Sequence, residues 1–405
     1  MSDQMGDQGG EPGPERGRAR IPRALNTLIA IAVALAVAWW FAPDAVSSML
    51  LFIGVLVVLV VAHELAHFAT AKLFAIRVLE FGVGFPPRIV GRQWGDTVYS
   101  LNWTPLGGFV RLLGEEAPDH PRSLAAAARW KRFIVLVSGS VVNLLLPVLL
   151  FAIAFTIPHE ESIGRAVIEQ VVPGAPAEAA GFQPGDVIYE VGGRDAQNVA
   201  AAGRLIRLNL GKEIDIVVRR GQVFETLRVE PRWTPPSGQG PTGILIREQC
   251  TIVGGEGCVP FTETVSQPPW ESIPGGARAT LDAMILARNE LVSWFKGGSS
   301  PAVAGPVGIA QTTGEVAREG GVTPLLMLAA LLSINLGVLN LLPLPMLDGG
   351  RIFFLLIEVL RGGRRIAPEK EALVHLVGFV AFIALAIAIT FADIARIASG
   401  DSLFR

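Results

Sequence analysis

Long uncharged apolar blocks decide what this chain can fold into. Residues 24–42, 45–62, 133–158, 322–347 and 372–392 each approach or exceed the ~20 residues that carry a helix across a bilayer. Lipid offers no partner to backbone N–H and C=O groups, so spans of this kind must be helices that satisfy themselves internally. The second block runs straight into His63, which extends its expected helix to 45–72. Only 17% of the residues are charged, against roughly 25% in an ordinary soluble domain. A net charge of −2 supplies no basic field for nucleic acid.

Positive charge gives the spans an expected orientation. Arg16, Arg18, Arg20 and Arg23 precede the first block. Lys72, Arg77, Arg88, Arg92, Arg111, Arg122, Arg129, Lys131 and Arg132 lie between the second and third, and Arg361, Arg364 and Arg365 between the fourth and fifth. Excess Lys and Arg mark cytoplasmic loops. The N-terminus is therefore expected in the cytoplasm, and residues 159–321 on the far side. Residues 24–42 have a competing reading as a signal peptide, with Ala36-Val37-Ala38 as the cleavage site. Trp39 and Trp40 suit a retained anchor at a membrane interface better. Residues 1–23 read as a polar, disordered, cytoplasmic N-terminus.

The far-side stretch alternates apolar and polar residues over 166–171, 186–191 and 214–229, with Gly221 at a turn and a helical segment at 198–209. Its segment PGAPAEAAGFQPGDVIYEVGG resembles PDZ domains of the bacterial protease-associated type. One such α+β domain is placed at 159–232, where it would screen substrates or bind peptide termini along a sheet edge. Residues 233–321 read as linker, ending in an amphipathic helix at 277–296 that either lies on the outer membrane surface or merely connects. Cys250 and Cys258 flank a Gly-rich loop, and an oxidising compartment would allow a local disulfide.

The chemistry sits in His63-Glu64-Leu65-Ala66-His67. Residues four apart share a helix face, so both imidazoles can meet one metal while Glu64 reaches water on it. Ionisable groups inside an apolar span are expensive and point to function. Catalytic zinc normally takes three protein ligands. The third candidate is Asp348 in NLLPLPMLDGGR, where Pro343 and Pro345 break the fourth span. Of the remaining histidines, His120 and His159 read as surface residues and His375 as a buried structural one.

These motifs resemble the site-2 protease family of intramembrane zinc metalloproteases, in its PDZ-containing bacterial branch, which resembles the regulator of sigma-E protease. The residues that carry the resemblance are HELAH at 63–67, FGVGFPPR at 81–88, PLGGFVRLLGE at 105–115, GSVVN at 139–143, GPVGIA at 305–310 and SINLGVLNLLPLPMLDGGR at 333–351. The resemblance implies a multi-pass α-helical membrane protein of about five spans, with a re-entrant β segment at 78–113. An N-terminal membrane region (24–158) and a C-terminal one (322–405, with the LDG motif) would enclose the inserted domain. It implies one Zn2+ per chain on His63, His67 and Asp348, with Glu64 as general base. Asn340, Asn335, Pro343, Pro345 and Asn143 would lie on the substrate side, and FGVGF would present a strand edge to an unwound substrate. The implied substrates are transmembrane segments, typically of anti-sigma factors, cut in the bacterial inner membrane. A membrane scaffold or transporter is the competing class, and it would have no use for a general base at Glu64.

Overall fold

The computed structural model describes residues 36–37, 39–115, 120–252, 258–298 and 305–399. Of the expected first span, 24–42, only 36–37 and 39–42 are among these residues, and the polar segment 1–23 lies outside them. Helix α1 (Pro43–Leu73) carries the HELAH motif near its C-terminal end. Two long strands follow, β1 (Val78–Trp94) and β2 (Thr97–Leu112). Gly95, with φ of +59°, turns the chain between them, as a two-residue hairpin loop with Gly first requires.

This hairpin folds back on itself. Residues 98–101 pair with 80–83 on one side and with 90–93 on the other, while 80–83 also pair with 108–111. The sheet therefore runs 90–93, 98–101, 80–83, 108–111. The sequence suggested that the FGVGF strand offers a free edge. It does not, because its backbone is paired on both flanks; the edges are 88–94 and 108–112.

Helix α2 (Arg129–Thr156) follows and continues through Pro147. Beyond it lies an α/β domain with β3 (His159–Ser162), β4 (Ala166–Val171), β5 (Val187–Val191), α3 (Val199–Leu208), β6 (Ile214–Arg220) and β7 (Val223–Val229). Asn198 caps α3 by accepting the Ala201 N–H, the usual task of an Asn at that position. Strand β8 (Ile244–Glu248) joins β4, so the main sheet runs β7-β6-β5-β4-β8. The domain thus reaches past residue 232 into a stretch that composition assigned to linker. The apolar run Ile244-Leu245-Ile246 is too short a signal to read as a strand alone. Its core is Ile168, Ile188, Leu205, Ile216 and Val218, all almost fully buried. Cys250 is disulfide-bonded, and Cys258 is the chain's one other cysteine.

Strand β9 (Thr262–Val265) pairs with β3 and leads into helix α4 (Pro269–Phe295). Rather than lying free, α4 is held on two sides. Toward the α/β domain, Arg194 donates to both carboxylate oxygens of Asp282 at 2.9 and 2.7 Å, and Asn289 donates to the Arg207 carbonyl at 2.8 Å. Toward α2, Gly276 lies against the Val148 carbonyl and Ala152 with no room for a side chain.

The C-terminal part holds α5 (Pro306–Gly320), α6 (Val322–Leu341), α7 (Asp348–Leu360) and α8 (Pro368–Ala398). The fourth apolar block is thus a helix ending at Leu341 and a Pro-broken loop over 342–347, after which Asp348 opens a separate helix. Leu342 is extended, with φ −65° and ψ 144°, as a residue before proline prefers. Among the described residues four helices, α1, α2, α6 and α8, are long and apolar enough to cross a membrane. In α8 only Asp393 is buried, so most of the helix surface presents Leu, Val, Ile and Phe outward, as a lipid-facing helix does. Asp393 accepts the Gly308 N–H at 2.8 Å and so ties α8 to the start of α5.

Because Asp282 is nearly buried and takes both arms of the Arg194 fork, D282A leaves that guanidinium without its partner. Its expected effect is a loss of about 1.5–3 kcal/mol in denaturant unfolding of the purified protein, with faster proteolysis around 233–268.

Candidate metal centre

Three polar side chains meet between apolar helices. His63 and His67 stand one turn apart on α1, and Asp348 is the first residue of α7. The Asp348 Oδ2 atom lies 3.0 Å from His63 Nε2 and 3.1 Å from His67 Nε2. The two Nε2 atoms are 3.1 Å apart. Atoms bound to one zinc at about 2.0–2.2 Å stand at roughly such separations from one another. These three residues could hold one metal ion.

The surroundings fix each ligand. His67 donates Nδ1–H to the Val135 carbonyl at 2.7 Å, which leaves the Nε2 lone pair for a metal. Behind His63 stands Asn143, completely buried, with Nδ2 3.3 Å from His63 Nδ1. Its Oδ1 has no hydrogen-bond partner. A half-turn of that amide sets Oδ1 against Nδ1–H, the pairing that a metal-ligating imidazole needs. The unpartnered oxygen and the two-imidazole, one-carboxylate donor set both fit zinc.

Gly139 of α2 makes the space. A Cβ built on it would lie 2.6 Å from His63 Nε2 and closer still to His67 Nε2, so a side chain there would occupy the convergence point of the ligands. Helix α6 fits α2 by the same means: Gly337 sits against the Ser140 carbonyl and Leu144, while Ser333 donates to the Asn143 carbonyl at 2.8 Å.

Asp348 reaches the imidazoles because of the loop before it. Pro343 and Pro345 prevent α6 from continuing. Met346 adopts a φ of +73°, and its N–H donates to His375 Nδ1 of α8 at 2.8 Å. Gly349 packs directly under the Leu342 carbonyl, and Gly378 of α8 under Pro345. His375, expected to be a buried structural residue, is therefore a support for the loop that carries Asp348. Its spacing from Asp348 carries no sequence signal, since the contact joins two separate helices. Gly139 could have been suspected from its place in GSVVN, but only as a small residue in an apolar span.

Glu64 points toward the hairpin. Its Cγ lies 3.6 Å from where a Cβ on Gly108 would stand, and the Val110 backbone acts on its carboxylate. The 108–112 edge thus runs past Glu64. Asn335 is exposed and Asn340 half-buried on α6, with Pro343 exposed and Pro345 half-buried after it. Among the described residues no hydrogen bond joins Asn335 or Asn340 to the ligand triad. Asn143, expected on the substrate side, stands behind His63.

Two imidazoles and a carboxylate converging among membrane-length helices, with a further carboxylate beside them, define a membrane metallopeptidase of the HExxH type. The chain belongs to peptidase family M50, whose model matches residues 51–385. It is similar to a Clostridium perfringens (strain 13 / Type A) protein titled "Putative zinc metalloprotease", 33% identical over 343 residues, covering 83% of this chain and 95% of that one. Zinc metalloprotease RasP of Oceanobacillus iheyensis is 28% identical over 437 residues, covering 87% of this chain and 99% of its own. The RasP of Geobacillus kaustophilus is 26% identical over 439 residues, with the same coverage of 87% and 99%. The protein is a zinc metalloendopeptidase.

Two substitutions separate space from support. G139A is expected to abolish zinc binding while leaving the outer domain folded. N143A is expected to weaken zinc by about 10–100-fold, the usual effect of removing a group that orients a ligating histidine. Metal analysis after dialysis against graded chelator measures both.

Proposed function

We propose that this protein hydrolyses peptide bonds within transmembrane segments, with zinc on His63, His67 and Asp348 and with Glu64 as general base. The observation that carries this reading is the meeting of three ligand atoms, 3.0–3.1 Å apart, from residues separated by as many as 285 positions. They meet between helices whose outer faces suit lipid. When bound, zinc supplies Lewis acidity and makes a water nucleophilic near neutral pH. Glu64 takes the proton of the attacking water and returns it to the leaving amine. His67, held by the Val135 carbonyl, and His63, backed by Asn143, keep their Nε2 lone pairs aimed inward through that cycle.

A transmembrane helix shields its own scissile bond, so a substrate must unwind first. The 108–112 edge, beside Glu64, is where the unwound stretch would add as a strand, with Asn340, Asn335, Pro343 and Pro345 on the α6 side. The α/β domain over 159–248 is taken as the PDZ domain, which would screen bulky substrates or hold a peptide terminus. Its attachment to α2 through α4 supports a fixed position for it.

The membrane orientation follows from charge. The basic loops at 122–132 and 361–365 meet in space at Glu358, which pairs with Arg132, Arg129 and Arg365. Their meeting supports a shared, cytoplasmic side. The α/β domain leaves from the opposite end of α2 and would be extracytoplasmic. Single-span regulators of the anti-sigma type are the proposed substrates, in the bacterial inner membrane.

E64Q should retain zinc and lose 10²–10⁴-fold or more in cleavage. A membrane-substrate cleavage assay paired with metal analysis reads both. Undiminished cleavage by zinc-loaded E64Q would instead favour the scaffold or transporter class.

A further inference from the structure

One cluster of charge lies outside the metal centre. Helix α2 opens with Arg129-Trp130-Lys131-Arg132, and the last turn of α7 carries Glu358, ahead of Arg361, Arg364 and Arg365. The Glu358 carboxylate, with 7% of its side chain exposed, takes Arg132 at 2.6 Å, Arg365 at 3.4 Å and Arg129 at 3.7 Å. One carboxylate thus faces three guanidinium groups, and a positive surplus remains. Arg129 keeps half its side chain in the open, and Lys131 stacks over Trp130 and Phe74, with no salt bridge among the described residues.

Two adjoining cavities flank this surplus and share Arg129, Trp130 and Val359. One, of about 720 Å³, is bounded also by Glu358, Gly363 and Arg365. The other, of about 360 Å³, is lined by Phe133, Ile352, Leu355 and Leu356. A polar cationic recess therefore opens directly onto an apolar groove between α2 and α7. Trp130, more than half exposed, sits at their junction, where a membrane-interface Trp belongs.

We infer that this recess and groove bind an anionic phospholipid, with the headgroup phosphate on Arg129 and Arg365 and an acyl chain along Phe133 and Leu356. An anion with an attached apolar tail matches both cavities at once. A basic pocket between membrane helices selects such headgroups by charge. An acidic protein segment would satisfy the arginines and leave the groove unfilled.

The test uses the full-length, zinc-loaded protein in detergent. Dioleoyl phosphatidylglycerol and dioleoyl phosphatidylcholine are titrated, and retained lipid is counted by native mass spectrometry. The expected result is preferential retention of phosphatidylglycerol. R129Q should weaken it roughly fivefold, the effect of one basic residue near a lipid surface. L356W, which fills the groove and leaves every charge, should weaken it too, whereas R228Q on the exposed face of β7 should not. As a measurement on the unaltered charges, brominated phosphatidylglycerol should quench the Trp130 share of fluorescence (wild type minus W130F) more than brominated phosphatidylcholine does. Equal retention of the two lipids overturns the site. So does retention by R129Q and L356W at the wild-type level, or loss in L356W but not R129Q. Displacement of the bound lipid by an acidic peptide with L356W unaffected would assign the recess to a protein partner instead.

Discussion

Placing ionisable side chains among membrane-length helices is the constraint on which the rest of this structure depends. An imidazole pair and a carboxylate in an apolar setting are costly unless each polar atom has a use. Here every ligand atom faces the other two, and their remaining nitrogens face a carbonyl and an amide. Helix α2 makes this possible by bringing Gly139 to the metal-facing side, Val135 behind His67 and Asn143 behind His63. The close approach of α1, α2 and α6 therefore follows from the needs of the centre as much as from packing.

The same logic explains the broken helix before Asp348. A continuous α6 would carry the carboxylate onward along its axis. Two prolines and two glycines instead turn the chain under itself, and His375 and Gly378 of α8 brace the turn. Irregular backbone at membrane depth is tolerated where protein covers it, and α8 supplies that cover while giving the rest of its surface to lipid. Helix α4 performs a comparable service outside, since it bonds to the α/β domain on one side and presses a glycine onto α2 on the other. Membership of family M50 and the zinc metalloprotease names of its relatives agree with a centre built this way.

Much of this was legible in the residues. Apolar block length marked the four membrane-length helices of the described residues, and the HELAH spacing put two ligands on one face. Pro343 and Pro345 marked the break. Other features were not readable. By its resemblance to the family the FGVGF segment is expected to present a strand edge, yet 98–101 and 108–111 pair with both sides of it. Strand β8 hides in a Pro- and Gly-rich stretch, because three consecutive apolar residues do not distinguish a strand from a loop. Asn143 looked like a polar contact for substrate, and burial turned it into a support for His63.

The sequence by itself determined which segments suit lipid, which residue types could ligate a metal, and that Pro343 and Pro345 break the fourth apolar block. These follow from local rules: hydropathy over a bilayer's thickness, the 3.6-residue turn and the missing N–H of proline. Only the tertiary structure decided that Asp348 meets the imidazoles, that Gly139 leaves room for them, and that the 108–112 edge rather than 80–85 passes Glu64. Those facts depend on contacts between residues tens to hundreds of positions apart, and no local propensity encodes a distance of that kind.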